Sequence, residues 1–146
     1  MAKHRDATIA ALEPPLPDTQ DAPQNTIPLA KEYLTAEEIK IPESLVKNLV
    51  AQLAEGDVSA TAVVMGFVRR ADLAQKARRT NCITEILLAQ ALGCAAYLDS
   101  YFHEHKKPIG PLHGMPISVK EHIRMKGLDI NAGFVAWVGT VAEEDA

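Results

Sequence analysis

GPLHGMPISVKEH, residues 110–122, is a segment framed by glycine and proline. Its middle alternates as a half-buried strand does. Met115, Ile117 and Val119 fall on one face; Pro116, Ser118 and Lys120 fall on the other. Gly110, Pro111, Gly114 and Pro116 frame it with residues that set special backbone angles and let other segments approach closely. The stretch then presents Lys120, followed by Glu121 and His122 and by the apolar Ile123 and Met125. One reading of Lys120 is a solvated strand end. The other is a lysine held against an apolar interior. A free lysine has a pKa of about 10.4, and a lysine acting as a general base needs one of roughly 7–8. That shift is worth about 4 kcal/mol of desolvation and neighbouring dipoles. A base also needs a nucleophile within hydrogen-bond reach.

Upstream the texture is helical. Thr35 and Glu38 have capping-box spacing, so a short helix starts there and Pro42 limits it. Residues 43–55 predict a second helix with Leu45, Leu49 and Leu53 on one face and Gly56 as its stop. Asp57, Val58 and Ser59 offer caps for a helix over 60–79. Its apolar stripe is Val63, Val64, Phe67, Val68, Ala71 and Ala74, with Arg69 and Arg70 mostly elsewhere. Asn81 reads as a turn. Thr84 is placed to cap a helix over 85–103 that turns Leu88, Leu92, Ala95 and Leu98 inward. His103, Glu104, His105, Lys106 and Lys107 form its polar last turn. Residues 1–27, with Pro14, Pro15, Pro17 and Pro23, read as a flexible or wrapped N-terminal arm, and 28–146 as one domain. Five of the eight glycines fall after position 109, so the remainder is rich in turns.

The 146 residues are enough for one core, and 47% hydrophobic with 23% charged fits a globular domain. A net charge of −4 argues against a nucleic-acid partner. Cys82 and Cys94 make no disulfide framework and read as buried, reduced thiols of a cytoplasmic protein. No apolar run reaches the ~20 residues that span a bilayer, and the N-terminus lacks the apolar region of a signal peptide. His103 and His105 do not share a helix face and have no third ligand, so no metal site is expected. GPLHG lacks the spacing of a phosphate loop. His113 and His122 read as turn packing, and Phe134, Trp137 and Val138 as core or exposed core, not as a binding platform.

GPLHGMPISVKEHIRMKGLDINAGF resembles the lysine segment of the amidase signature family. LTAEEIKI, RRADLAQKARRTNCITEI and AAYLD are similar to its helical lead-in, in the fungal acetamidase-like branch. The resemblance covers about residues 28–142. It implies an α/β fold, a mixed sheet covered by helices, of which this chain supplies the N-terminal helices and the first strand region. It implies hydrolysis of carboxylic amides to an acid plus ammonia or an amine. A serine attacks the carbonyl, a second serine in a cis peptide relays its proton, and a lysine matching Lys120 is the base. No metal or cofactor is required, and the partner is a small amide.

Two departures follow. The family often has Asp after the lysine, where this chain has Glu121, which keeps the carboxylate. The family's two serines and its oxyanion backbone lie further on, in a run of the GGSSGG type. This chain has four serines, Ser44, Ser59, Ser100 and Ser118, none adjacent to another and none after Lys120. Ser118 lies about 6–7 Å from Lys120 along a strand and is read as a hydroxyl beside the lysine, not as the nucleophile. The chain is therefore expected to be an N-terminal fragment that is inactive alone. The alternative is a non-catalytic product that docks on or regulates a full-length relative, or forms a homo-oligomer.

Overall fold

The computed structural model describes residues 2–17, 23, 25–77 and 83–146. Among them the regular structure is helical. It comprises α1 (Ala2–Ala10), α2 (Leu29–Tyr33), α3 (Ala36–Glu43), α4 (Val46–Glu55), α5 (Ala60–Lys76), α6 (Leu88–His105) and a 3-10 turn, Val135–Trp137. None of these helices is long and apolar enough to cross a membrane.

Local chemistry sets most of the boundaries. Thr35 and Glu38 form the capping box at the start of α3. Glu38 N donates to Thr35 Oγ1 at 3.2 Å and Thr35 N donates to Glu38 Oε2 at 2.8 Å. Such a cap is worth about 1 kcal/mol. Pro42 sits in the last turn, and α3 closes one residue later. Gly56 ends α4 in the left-handed region, φ 78°, where the amide of Asp57 donates to Gln52 O at 2.9 Å. Ser59 caps α5 by accepting from Ala62 N at 3.1 Å.

The core has two parts joined by α5. Leu16, Leu29, Ala30 and Leu34 pack on Leu73 and Ala77 near the end of α5. Ile41, Leu49, Leu53, Val63, Val64 and Ala95 pack around its first half. Helix α5 lies against both α3 and α6. The described part of residues 1–27 contains α1 and buries Ile9, Leu12 and Leu16. Three basic side chains tie it down. Arg69 donates to Pro14 O, Lys76 to Leu16 O at 2.8 Å, and Arg5 to Ile83 O at 2.9 Å.

Arg69 corrects the expected face of α5: it is buried, at 3% exposure, whereas Ala74 is exposed. Burial of a guanidinium is tolerated only with partners. Glu38 Oε1 accepts from its Nε at 3.0 Å, and Asp72, fully buried, lies 3.9 Å from Nη1. Lys76 Nζ completes the cluster 3.2 Å from Asp72. Burial pushes the Asp72 carboxyl above its ordinary range despite Lys76 and Arg69. Burial also acts upward on Glu38, but the Thr35 hydrogen bonds and Arg69 outweigh it and hold that carboxyl below its usual value.

Several other expectations need correction. Leu45 is the N-cap of α4, in an extended conformation, so it leaves the helical register and stands 62% exposed. Helix α6 begins at Leu88 without a side-chain cap, and Thr84 is exposed. The chain first buries Ile86 and only then turns helical. Cys94 is free and exposed on α6. Cys82, Asn81 and the end of the helix expected over 60–79 lie outside the described residues. The expected strand is not formed: residues 115–120 run without a ladder partner. Among the described residues the β pairing is one isolated antiparallel bridge, Asp129 to Val141. A strand exists only through its neighbour, and no described backbone carbonyl accepts from the amides of residues 117–120.

Candidate active site around Lys120

The lysine segment leaves a firmly packed corner. Helix α6 ends at Lys106, φ 53°, whose amide donates to Phe102 O at 2.8 Å. Residues 110–115 then fold into a double turn. His113 N donates to Gly110 O at 3.2 Å and Met115 N to Leu112 O at 3.1 Å. His113 is buried, as its turn-packing role requires. Its Nδ1 accepts from Ile109 N at 3.3 Å, and its ring centroid lies 5.9 Å from that of Phe102. Phe102 in turn occupies the space over Gly56, where an added Cβ would come within 2.5 Å of it.

Gly114 is the pivot. Its φ is 75°, a region L side chains rarely adopt. A Cβ there would sit 2.7 Å from Leu53 Cδ2 and 2.9 Å from Ala60 Cβ. The turn therefore lies directly against α4 and the first residue of α5. Asp99 secures that residue from the middle of α6. Its Oδ1 accepts from Ala60 N at 2.7 Å, and its Oδ2 accepts from Thr61 N at 3.1 Å and Thr61 Oγ1 at 2.6 Å. Two of the amides that a helix start leaves unsatisfied are thereby taken up.

Beyond Gly114, Met115 still packs on the core, and the chain then leaves it. Ile117 is 80% exposed, and Ser118, Val119 and Lys120 are exposed. The lysine is thus solvent-facing and not held against an apolar interior by the described residues. Its carbonyl accepts from Ile123 N at 2.9 Å, which closes a turn just after it. Its amine makes no hydrogen bond or ion pair among the described residues. One oxygen of the adjacent Glu121, Oε1, is buried without a hydrogen-bond partner there. Residues 127–142 return as a hairpin-like loop. Ile130 N donates to Thr140 O and Ala142 N to Leu128 O, both at 2.9 Å.

None of the four serines, all among the described residues, is hydrogen-bonded to the lysine. Ser44 Oγ donates to Lys40 O, Ser59 caps α5, and Ser100 Oγ donates to Ala96 O. Ser118 makes no hydrogen bond to Lys120. No group of three or more His, Cys, Asp or Glu among the described residues is placed to hold a metal ion. His122 is exposed, and the His105 imidazole lies 3.9 Å from Glu104 at a solvated helix end. A shallow cavity of about 180 Å³ lies between α2 and α5, lined by Leu29, Arg70 and Leu73 among others, with no residue of the lysine segment.

Of the two readings of the late apolar residues, the structure shows the exposed one. Phe134, Trp137 and Val138 are 60%, 51% and 65% exposed, and the rings of Phe134 and Trp137 stand 4.9 Å apart. Sequence reasoning missed Asp99 as an interhelical cap, because nothing in the local pattern says which helix start it faces. It also missed the Arg69–Glu38–Asp72 cluster. The i,i+3 spacing of Arg69 and Asp72 was a visible signal, but it reads equally well as a solvated pair.

Comparison with known proteins places these features in context. Residues 62–146, which include Asp99, Gly114 and Lys120, match the Amidase family. The chain is 40% identical over 113 residues to the acetamidase of Emericella nidulans, a match over 77% of this chain and 20% of that protein. It is 42% identical over 113 residues to the acetamidase of Aspergillus oryzae, with the same coverage. Among solved structures it is similar to a fatty acid amide hydrolase, with a TM-score of 0.78 and 30% identity over 99% of this chain and 26% of that one. The chain therefore spans about a fifth of the length of these two acetamidases.

Proposed function

The chain belongs to the amidase family, and from that premise we propose that it carries the lysine-bearing part of a hydrolase acting on carboxylic amides, with Lys120 as the general base. One observation carries the reading: the family match includes the GMPISVKEH segment, and within it Lys120 is exposed, its amine without an ionic or hydrogen-bonded partner among the described residues. In the proposed mechanism a serine Oγ attacks the amide carbonyl. Its proton passes through a second serine to Lys120 Nζ. The protonated lysine then returns a proton to the departing nitrogen, the C–N bond breaks, and ammonia or an amine leaves. Water, activated along the same path, attacks the acyl ester and frees the acid. Neither serine is supplied by this chain, so residues 1–146 alone are proposed to be inactive. Packing further segments over the exposed face would bury Lys120, the condition under which a lysine serves as a base.

The test is a graft. This chain replaces its matching segment in the Emericella nidulans acetamidase, and ammonia release from acetamide is followed. Release well above background is expected, and none from residues 1–146 alone. A folded graft without activity would overturn the proposal.

A second reading is favoured by the exposed Phe134, Val135, Trp137 and Val138. An apolar surface of that kind marks a contact face. On this reading the chain is a non-catalytic product that docks on a full-length relative. Size-exclusion chromatography of the chain with an intact acetamidase, showing co-elution, supports it; independent elution removes it.

A further inference from the structure

We propose that Asp99 is a positioning residue for the lysine segment, acting through the start of α5 on the turn that launches it; the proposal rests on the reading of Lys120 as the base. The chain of contacts is short. The Asp99 carboxylate holds Ala60 N, Thr61 N and Thr61 Oγ1 at 2.7, 3.1 and 2.6 Å. Ala60, 1% exposed, fills the space that a side chain at position 114 would need. Gly114 is therefore seated against a helix start whose position is fixed from α6.

The remaining six residues to Lys120 have no ladder partner, so the direction in which they leave Gly114 sets where the amine arrives. Even fully extended, at about 3.3 Å per residue, the arm reaches at most roughly 20 Å. A rotation of about 10° at its base would then move its far end by up to about 3 Å, the span of a hydrogen bond. Ser59 already caps α5 through Ala62 N. Asp99 takes up the two amides before it, Ala60 N and Thr61 N. Asp99 adds the link between helices, which Ser59 cannot.

The test is backbone amide exchange and chemical shift in the 15N-labelled chain, for Asp99→Ala, Thr61→Val, Thr61→Ser and a control, Glu38→Ala. Thr61→Val removes only the hydroxyl donor and serves if Asp99→Ala fails to fold. For Asp99→Ala and Thr61→Val, the amides of His113 and Met115 are expected to exchange about tenfold faster or more. Shifts across 115–120 should move, while the amides of Leu34 and Ile39 change by less than about twofold. Thr61→Ser, which keeps the hydroxyl, should match the parent chain. Glu38→Ala should speed Ile39 and leave Met115 alone. A uniform acceleration at all sites would overturn the proposal, as would an unchanged Met115 or a Thr61→Ser variant behaving like Thr61→Val. None of these readouts involves turnover. Failure of the base reading would show instead in the graft, as activity that survives Lys120→Ala.

Discussion

Gly114 and Glu38 show what single positions contribute. At Gly114 a methyl group would face both a left-handed backbone, φ 75°, and contacts below 3 Å to Leu53 and Ala60. Gly114→Ala is expected to cost about 2 kcal/mol or more, measured by urea unfolding. At Gly110, where an added Cβ meets nothing within 4 Å, the same change should cost far less. Both glycines were visible in the sequence as a frame; only the packing tells them apart. Glu38 gives a pH prediction. Its carboxyl lies below the ordinary value in the fold, so its contribution is present above the unfolded value of about 4.3 and is lost as pH falls through the lowered folded value. Glu38→Gln, which mimics the protonated acid, should destabilise by about 1 kcal/mol near neutrality and converge on the parent chain once the pH has fallen below the lowered folded value. Asp72 has the opposite sign. Its raised carboxyl favours the fold most below its unfolded value, and that contribution is lost as pH rises through the folded one. A Glu38→Gln deficit that persists unchanged in acid would contradict the assignment.

At the scale of elements, what was legible were the features that chemistry fixes locally. The Thr35–Glu38 box, the Gly56 stop and the Ser59 cap each need only a few neighbouring residues, and each stands where its spacing put it. Features that depend on a distant partner were not legible. Leu45 shares the four-residue spacing of Leu49 and Leu53 but sits before the first helical residue. Leu49→Ala should therefore cost about 2–5 kcal/mol and Leu45→Ala less than about 0.5 kcal/mol in thermal or urea unfolding. Comparable losses would mean that Leu45 belongs to the core. The alternation Met115, Ile117, Val119 is a strand pattern without a strand. A two-residue period states which side chains share a face, not that a neighbouring strand is there to pair with it. The lysine at its end was found from the segment's resemblance to a family. Its burial was not forthcoming, because the residues upstream of it pack on Gly114 and not on the amine.

For the whole molecule, the distribution of apolar surface is the main physical fact. The helices bury two clusters well, while Ile117, Phe134, Val135, Trp137, Val138 and Val141 stand 51–87% exposed. Isolated residues 1–146 are accordingly expected to self-associate as concentration rises, and a Val135→Ser, Trp137→Ser, Val138→Ser triple variant to shift sedimentation towards monomer. A parent chain that stays monomeric throughout would argue that this face has no affinity for a cover. Lys120 is exposed as well, which links folding to chemistry: it meets the needs of a base only when something lies over it. The most direct measurement is ammonia release from acetamide by the acetamidase graft with Lys120 intact, beside the same graft carrying Lys120→Ala. A fall in kcat of about 10³-fold is expected, within the range for loss of a general base, with the folded fraction unchanged. Equal rates from the two grafts would contradict it and remove Lys120 from the reaction.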